Sequence, residues 1–89
     1  MYGINKTPRE IMHHLAQNVR TLRKQQGLSQ KKLSELSGVA YATLRKFELS
    51  GVISLESLFK LCQALGRLDE FEAVLTPNNL SSKNALFDV

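Results

Sequence analysis

Arg20 with Arg23, Lys31 with Lys32, and Arg45 with Lys46 are the residues whose types and spacing could do chemistry here. That chemistry is recognition of polyanions. An arginine fork matches the O6 and N7 acceptors of guanine, and a lysine ammonium neutralises a phosphate. Catalytic sets are missing. His13 and His14 are adjacent, so on a helix they point apart and cannot chelate one metal together, and no cysteine or carboxylate cluster supports them. Cys62 stands on an apolar stripe and reads as a small core residue. Phe59 and Phe71 read as core or interface rather than a nucleotide-stacking pair. With no nucleophile–base pair, phosphate-cradling glycine loop or paired carboxylates, neither an enzyme nor a metal or other cofactor is expected.

These side chains need a scaffold, and 89 residues allow one small domain. Its core must be modest, so each large apolar residue matters. The single cysteine excludes an internal disulfide framework and fits a reducing compartment. No apolar run is long enough for a membrane span, and MYGINKTPRE has no signal-like apolar core, so a cytoplasmic protein is expected. The net charge of +4 is unevenly spread: residues 1–27 hold five bases and one acid, and residues 67–89 two bases and four acids. Such asymmetry suits a polyanion-binding face with a differently used far end.

Five helical segments emerge, with no convincing strand. Thr7, Pro8 and Glu10 form a capping-box signature for a helix over about residues 8–26. Its stripe is Ile11, Leu15, Val19 and Leu22, flanked by Met12 and Ala16. Ser29 caps a second helix, 30–37, with Leu33 and Leu36 facing inward. A third covers 41–49, and Ser54 caps a fourth, 55–65, lined by Leu55, Leu58, Leu61, Cys62 and Leu65. A fifth near 69–75 would use Leu68, Phe71, Val74 and Leu75 as its apolar side. The chain then reads as an all-α, compact five-helix domain over 1–75 with a flexible tail, 76–89, rich in Asn and Ser.

Two short helices joined by a tight Gly-Val-Ala turn have the anatomy of a helix-turn-helix, whose second helix enters a DNA major groove. At about 100° per residue, Leu44 and Phe47 point together into the domain. Ala42, Arg45, Lys46 and Leu49 point the other way, with Tyr41 at one margin. Lys31 and Lys32 occupy the first turn of the second helix, where the dipole disfavours cations, a placement that makes sense beside a phosphate. The run NVRTLRKQQGLSQKKLSELSGVAYATLRKFELSG, residues 18–51, resembles the lambda-repressor/Cro group of helix-turn-helix regulators, the XRE family. SLESLFKLCQALG is similar to that family's fourth helix, so the likeness spans about residues 8–75.

The resemblance implies roles at matching positions. Gln30 would contact a phosphate and brace the start of the third helix, Tyr41, Ala42 and Arg45 would reach base edges, and Lys46 would reach bases or phosphates. It also implies a salt bridge between Arg23 and Glu48. Arg20 is expected to be an outward phosphate contact or surface charge. Lys31, Lys32 and the loop from Ser50 to Ser54 are expected to hold further phosphates. Ala40 departs from the Ser or Thr that often caps this helix, a loss of about 1 kcal/mol. Leu68, Phe71 and Leu75 are candidates for a homodimer contact. The expected function is a sequence-specific double-stranded DNA-binding regulator, a dimeric repressor reading a near-palindromic operator through helix 41–49. The alternative is the antitoxin of a toxin–antitoxin pair, docking a toxin through Leu80, Leu86, Phe87 and Val89 while repressing its own operon.

Overall fold

The computed structural model describes residues 6–78, and over them the chain is helical. The order is α1 (Pro8–Gln25), α2 (Gln30–Ser37), α3 (Tyr41–Ser50), α4 (Leu55–Ala64) and a 3-10 helix (Leu68–Ala73). The capping box at the start of α1 is complete. The Thr7 hydroxyl accepts from the Glu10 amide at 3.1 Å, and the Glu10 carboxylate accepts from the Thr7 amide at 2.8 Å. Ser29 and Ser54 cap α2 and α4 by accepting from Lys32 and Ser57 amides. Each bond satisfies an amide that the first helical turn would otherwise leave without a partner.

The core gathers residues from α1 through α4. Phe47, Leu33, Leu44 and Leu61 are wholly buried, with Ala16, Val19, Val39, Leu58, Cys62 and Leu65 around them. Burying a side chain such as Leu33 or Phe47 contributes about 1.5–3 kcal/mol. The heaviest anchors of α3 are therefore the two residues that face α1 and α2. Gly51 ends α3 with φ +80°, against the backbone of Met12 and His13.

Several apolar residues expected inside lie outside. Leu36 is 55% exposed and Leu55 64% exposed, and Ile11 is also exposed. Three residues rotate a helix by about 300°, so in the two turns of α2 a buried Leu33 carries Leu36 past the edge of the contact. Leu55 opens α4, one turn before the part that packs.

The fifth helix also differs from expectation. It is a 3-10 turn ending at Ala73, not an α-helix reaching Leu75. Three residues per turn stack Leu68 directly over Phe71, which places both against the core. Phe71 meets Phe59 of α4 with ring centroids 5.0 Å apart. Val74 is extended and Leu75 takes φ +61°, so both leave the domain, Leu75 at 93% exposure. From residue 79 onward, the tail expectation lies outside the described residues.

Candidate nucleic-acid interface

The angle between α2 and α3 is set by the Gly-Val-Ala turn together with two serines not singled out above. Gly38 ends α2 in the left-handed region, and buried Val39 plugs the turn. The Ser34 hydroxyl donates to the Val39 carbonyl at 2.5 Å, and the Ser37 hydroxyl accepts from the Val39 amide at 3.1 Å. Two α2 side chains thus hold both backbone groups of the turn residue. The signal was present in the serines of SELSGV, because short hydroxyl side chains bond nearby backbone readily. Ala40 supplies no side-chain cap, so α3 starts on this turn alone.

Beneath α3, Arg23 lies on α1 among core residues with its side chain 8% exposed, and Glu48 faces it at 4%. Arg23 donates through Nε and Nη2 to the two Glu48 oxygens at 2.8 and 3.0 Å. Its Nη1 donates to the Leu28 carbonyl at 2.8 Å, holding the turn after α1. Gln30 completes the set, its Nε2 donating to Glu48 Oε1 at 2.9 Å. Side chains from α1 and α2 therefore converge on one carboxylate of α3, with the turn joined through Arg23, and the geometry is the two-pronged kind that makes such pairs strong. Gln30 braces the far end of α3 through Glu48, not its start.

The opposite side of α3 is open. Ala42, Arg45 and Lys46 are exposed, Tyr41 is 39% exposed and Leu49 74%. All five line one shallow groove along the helix. Around its flank, Arg20, Ser29, Gln30 and Arg45 line a cleft between α1, the start of α2 and α3, floored by the Arg23–Glu48 pair. The structure thus brings Arg20 beside Arg45 and Gln30. Leu49, expected on the outer side of the helix, is a large apolar member of this exposed face.

The remaining candidates are placed as follows. Lys32 lies 3.9 Å from Glu35 on its own helix, and Lys31 stands over the Tyr41 ring, 5.9 Å from its centroid. Ser50 is engaged within its own chain. Its hydroxyl donates to the Lys46 carbonyl at 2.7 Å and accepts from the Val52 amide at 3.2 Å. A serine has one donor hydrogen, and here it is given to the last turn of the helix. Of the dimer candidates, Leu68 and Phe71 are half-buried against their own core, and Leu75 is free. His13 and His14 are both exposed, and among the described residues no His, Cys, Asp and Glu group can hold a metal ion. Among those residues no helix is long and apolar enough to cross a membrane.

A protein-family model described as helix-turn-helix matches residues 19–71, from the middle of α1 through Phe71. Comparison with curated proteins and with solved structures gives no match in either.

Proposed function

The chain belongs to the helix-turn-helix family of lambda-repressor/Cro (XRE) type, and from that premise we propose that α3 reads an operator for a dimeric repressor. Members of this family are DNA-binding transcription regulators, and binding of double-stranded DNA is the activity that goes with it. The observation that carries the finer reading is the division of α3. Leu44 and Phe47 are wholly buried, while Tyr41, Ala42, Arg45, Lys46 and Leu49 share an open groove on the other side. Arg45 reads guanine with its fork, Tyr41 and Ala42 supply apolar contact to thymine methyls, and Lys46 reaches a base or phosphate. Gln30, Lys31, Lys32 and Arg20 face the backbone phosphates flanking the groove.

Repression follows from occupancy, since a protein seated in a promoter groove excludes other readers of that segment. Two copies on one duplex place their α3 helices about 34 Å apart. Val74 and Leu75, exposed beside the 3-10 helix, offer the apolar contact between copies. The alternative is an antitoxin that docks a toxin through Leu80, Leu86, Phe87 and Val89, which lie outside the described residues, and it is compatible with DNA binding by α3.

The test is selection of bound duplexes from a random pool, repeated with Arg45→Ala and Lys32→Ala. Arg45→Ala relaxes preference at a guanine, by about 1–3 kcal/mol, whereas Lys32→Ala weakens all duplexes alike and lowers the salt slope by about one. An unchanged specific-to-nonspecific ratio in Arg45→Ala would remove α3 as the reader. Deleting residues 77–89 addresses the rival: loss of a co-purifying protein with DNA binding intact would favour the antitoxin.

A further inference from the structure

We propose that Lys31 is a positioning residue for base recognition: it holds the Tyr41 ring in its reading orientation, so α2 contributes to specificity. The inference rests on α3 being the reading helix. Lys31 is the second residue of α2 and Tyr41 the first of α3, and the Lys31 ammonium sits 5.9 Å from the Tyr41 ring centroid. That is within the range where a cation is drawn to an aromatic face. The neighbouring Lys32 turns to Glu35, and among the described residues Lys31 has no carboxylate at ion-pair distance.

Two features of the surroundings give this contact a task. The start of α3 itself is uncapped, because Ala40 makes no side-chain cap bond and the first turn carries no acid. Tyr41 is the residue standing at that start, and it is 39% exposed. An exposed ring on an uncapped helix end is free to change rotamer, and fixing a preferred one in advance removes that ordering cost from binding. With one face covered by Lys31, the ring offers DNA its other face and its hydroxyl. The free face suits a thymine methyl, which is the apolar group of the major groove. The contact also accounts for a cation in the first turn of α2, where the helix dipole disfavours one.

The experiment selects duplexes from a random pool with the wild type, Lys31→Met, Lys31→Arg, Tyr41→Leu and the Lys31→Met/Tyr41→Leu double variant. Affinities are then measured on the selected site and on single-base substitutions. Both residues are on the surface, and equal melting temperatures across the set establish that every variant is folded. Lys31→Met is expected to relax preference about two- to fivefold at the base pair that Tyr41→Leu also relaxes, and at no other. Lys31→Arg is expected to restore it, because it keeps a cation over the ring. In the Tyr41→Leu background, Lys31→Met is expected to leave base preference unchanged.

Uniform weakening on all duplexes by Lys31→Met, with its effect adding in full to that of Tyr41→Leu, would overturn the proposal and leave Lys31 a phosphate contact only. If the wild type enriches no sequence at all, the reading of α3 falls and this inference with it. A wild type that does enrich a site, together with additive variants, removes this inference alone.

Discussion

Arg23 and Glu48, 25 residues apart in the chain, meet in a two-bond ion pair that is almost wholly enclosed. The pair joins α1 to the reading helix from below, and Gln30 ties α2 to the same carboxylate. Its position explains why a charged residue within α3 is unavailable to a ligand. Both carboxylate oxygens are already occupied from inside the domain.

Breaking the pair leaves a buried charge without its partner. Glu48→Ala is expected to lower stability by about 3–5 kcal/mol, a fall in Tm of roughly 12–40 °C for a domain this size. Gln30→Ala removes one bond to the carboxylate and is expected to cost about 1–2 kcal/mol. Thermal and urea unfolding of the two variants check the order. A Glu48→Ala Tm equal to that of the wild type would deny the pair its role.

Gly51 and Gly38 separate backbone strain from close approach. Both have φ near +80°, at 80° and 79°, but only at Gly51 would a Cβ meet other atoms, 2.9 Å from the Met12 carbonyl carbon and 3.0 Å from the His13 nitrogen. Gly38→Ala carries the conformational penalty alone, about 1–2 kcal/mol. Gly51→Ala carries that penalty and also forces α3 away from α1, for a total of about 2–4 kcal/mol. Urea midpoints of the two variants give the difference, and equal losses would mean that α1 moves aside freely.

Acid weakens the start of α1 through Glu10. The Thr7 amide donates to its carboxylate and holds its pKa below the ordinary glutamate value, with the Thr7 hydroxyl and Lys6 adding in the same direction against desolvation. A depressed folded pKa gives stability that is present above the unfolded pKa and lost as pH falls through the folded one. Glu10→Gln keeps a capping side chain but cannot titrate. Its unfolding free energy is therefore expected to fall below the wild type's at neutral pH and to converge with it in acid, where the wild-type carboxyl is protonated, so the acid-side slope is reduced. Urea melts along an acid series check this, with parallel curves for the two proteins as the contrary result.

Leu75, at 93% exposure, tests the proposed contact between copies. Leu75→Glu places a charge in that contact and touches nothing in the core, so it is expected to shift sedimentation toward monomer without lowering Tm. Phe71→Ala is the contrasting change. Phe71 packs on Phe59 within its own domain, so its loss is expected to cost stability first. Identical sedimentation of Leu75→Glu and wild type across concentration would move the contact elsewhere.

Local chemistry was legible in the residues themselves. Thr7, Ser29 and Ser54 announce helix starts because their caps need only backbone three residues away, and all three make those bonds. The two faces of α3 follow from its period, which puts Leu44 and Phe47 together whatever surrounds them. The likeness to the lambda-repressor/Cro group is carried by residues 18–51, and the family match covers 19–71. Other features needed the packed domain. Leu36 obeys the helical period as well as Leu33 does, and only the narrowness of the α2 contact turns it outward. The fifth segment has residues compatible with either helix type, and the stacking of Leu68 and Phe71 against the core goes with the tighter turn. Ser50 has a hydroxyl that is free on paper and engaged by Lys46 in space. Arg20, Gln30 and Arg45 come together in one cleft because Arg23 and Glu48 join α1 to α3 beneath them. Sequence alone thus determined which residues can cap, which can pack and which carry charge, since these depend on neighbours within a turn or two. Tertiary structure alone decided which of them meet, because burial and long-range pairing depend on where whole helices dock.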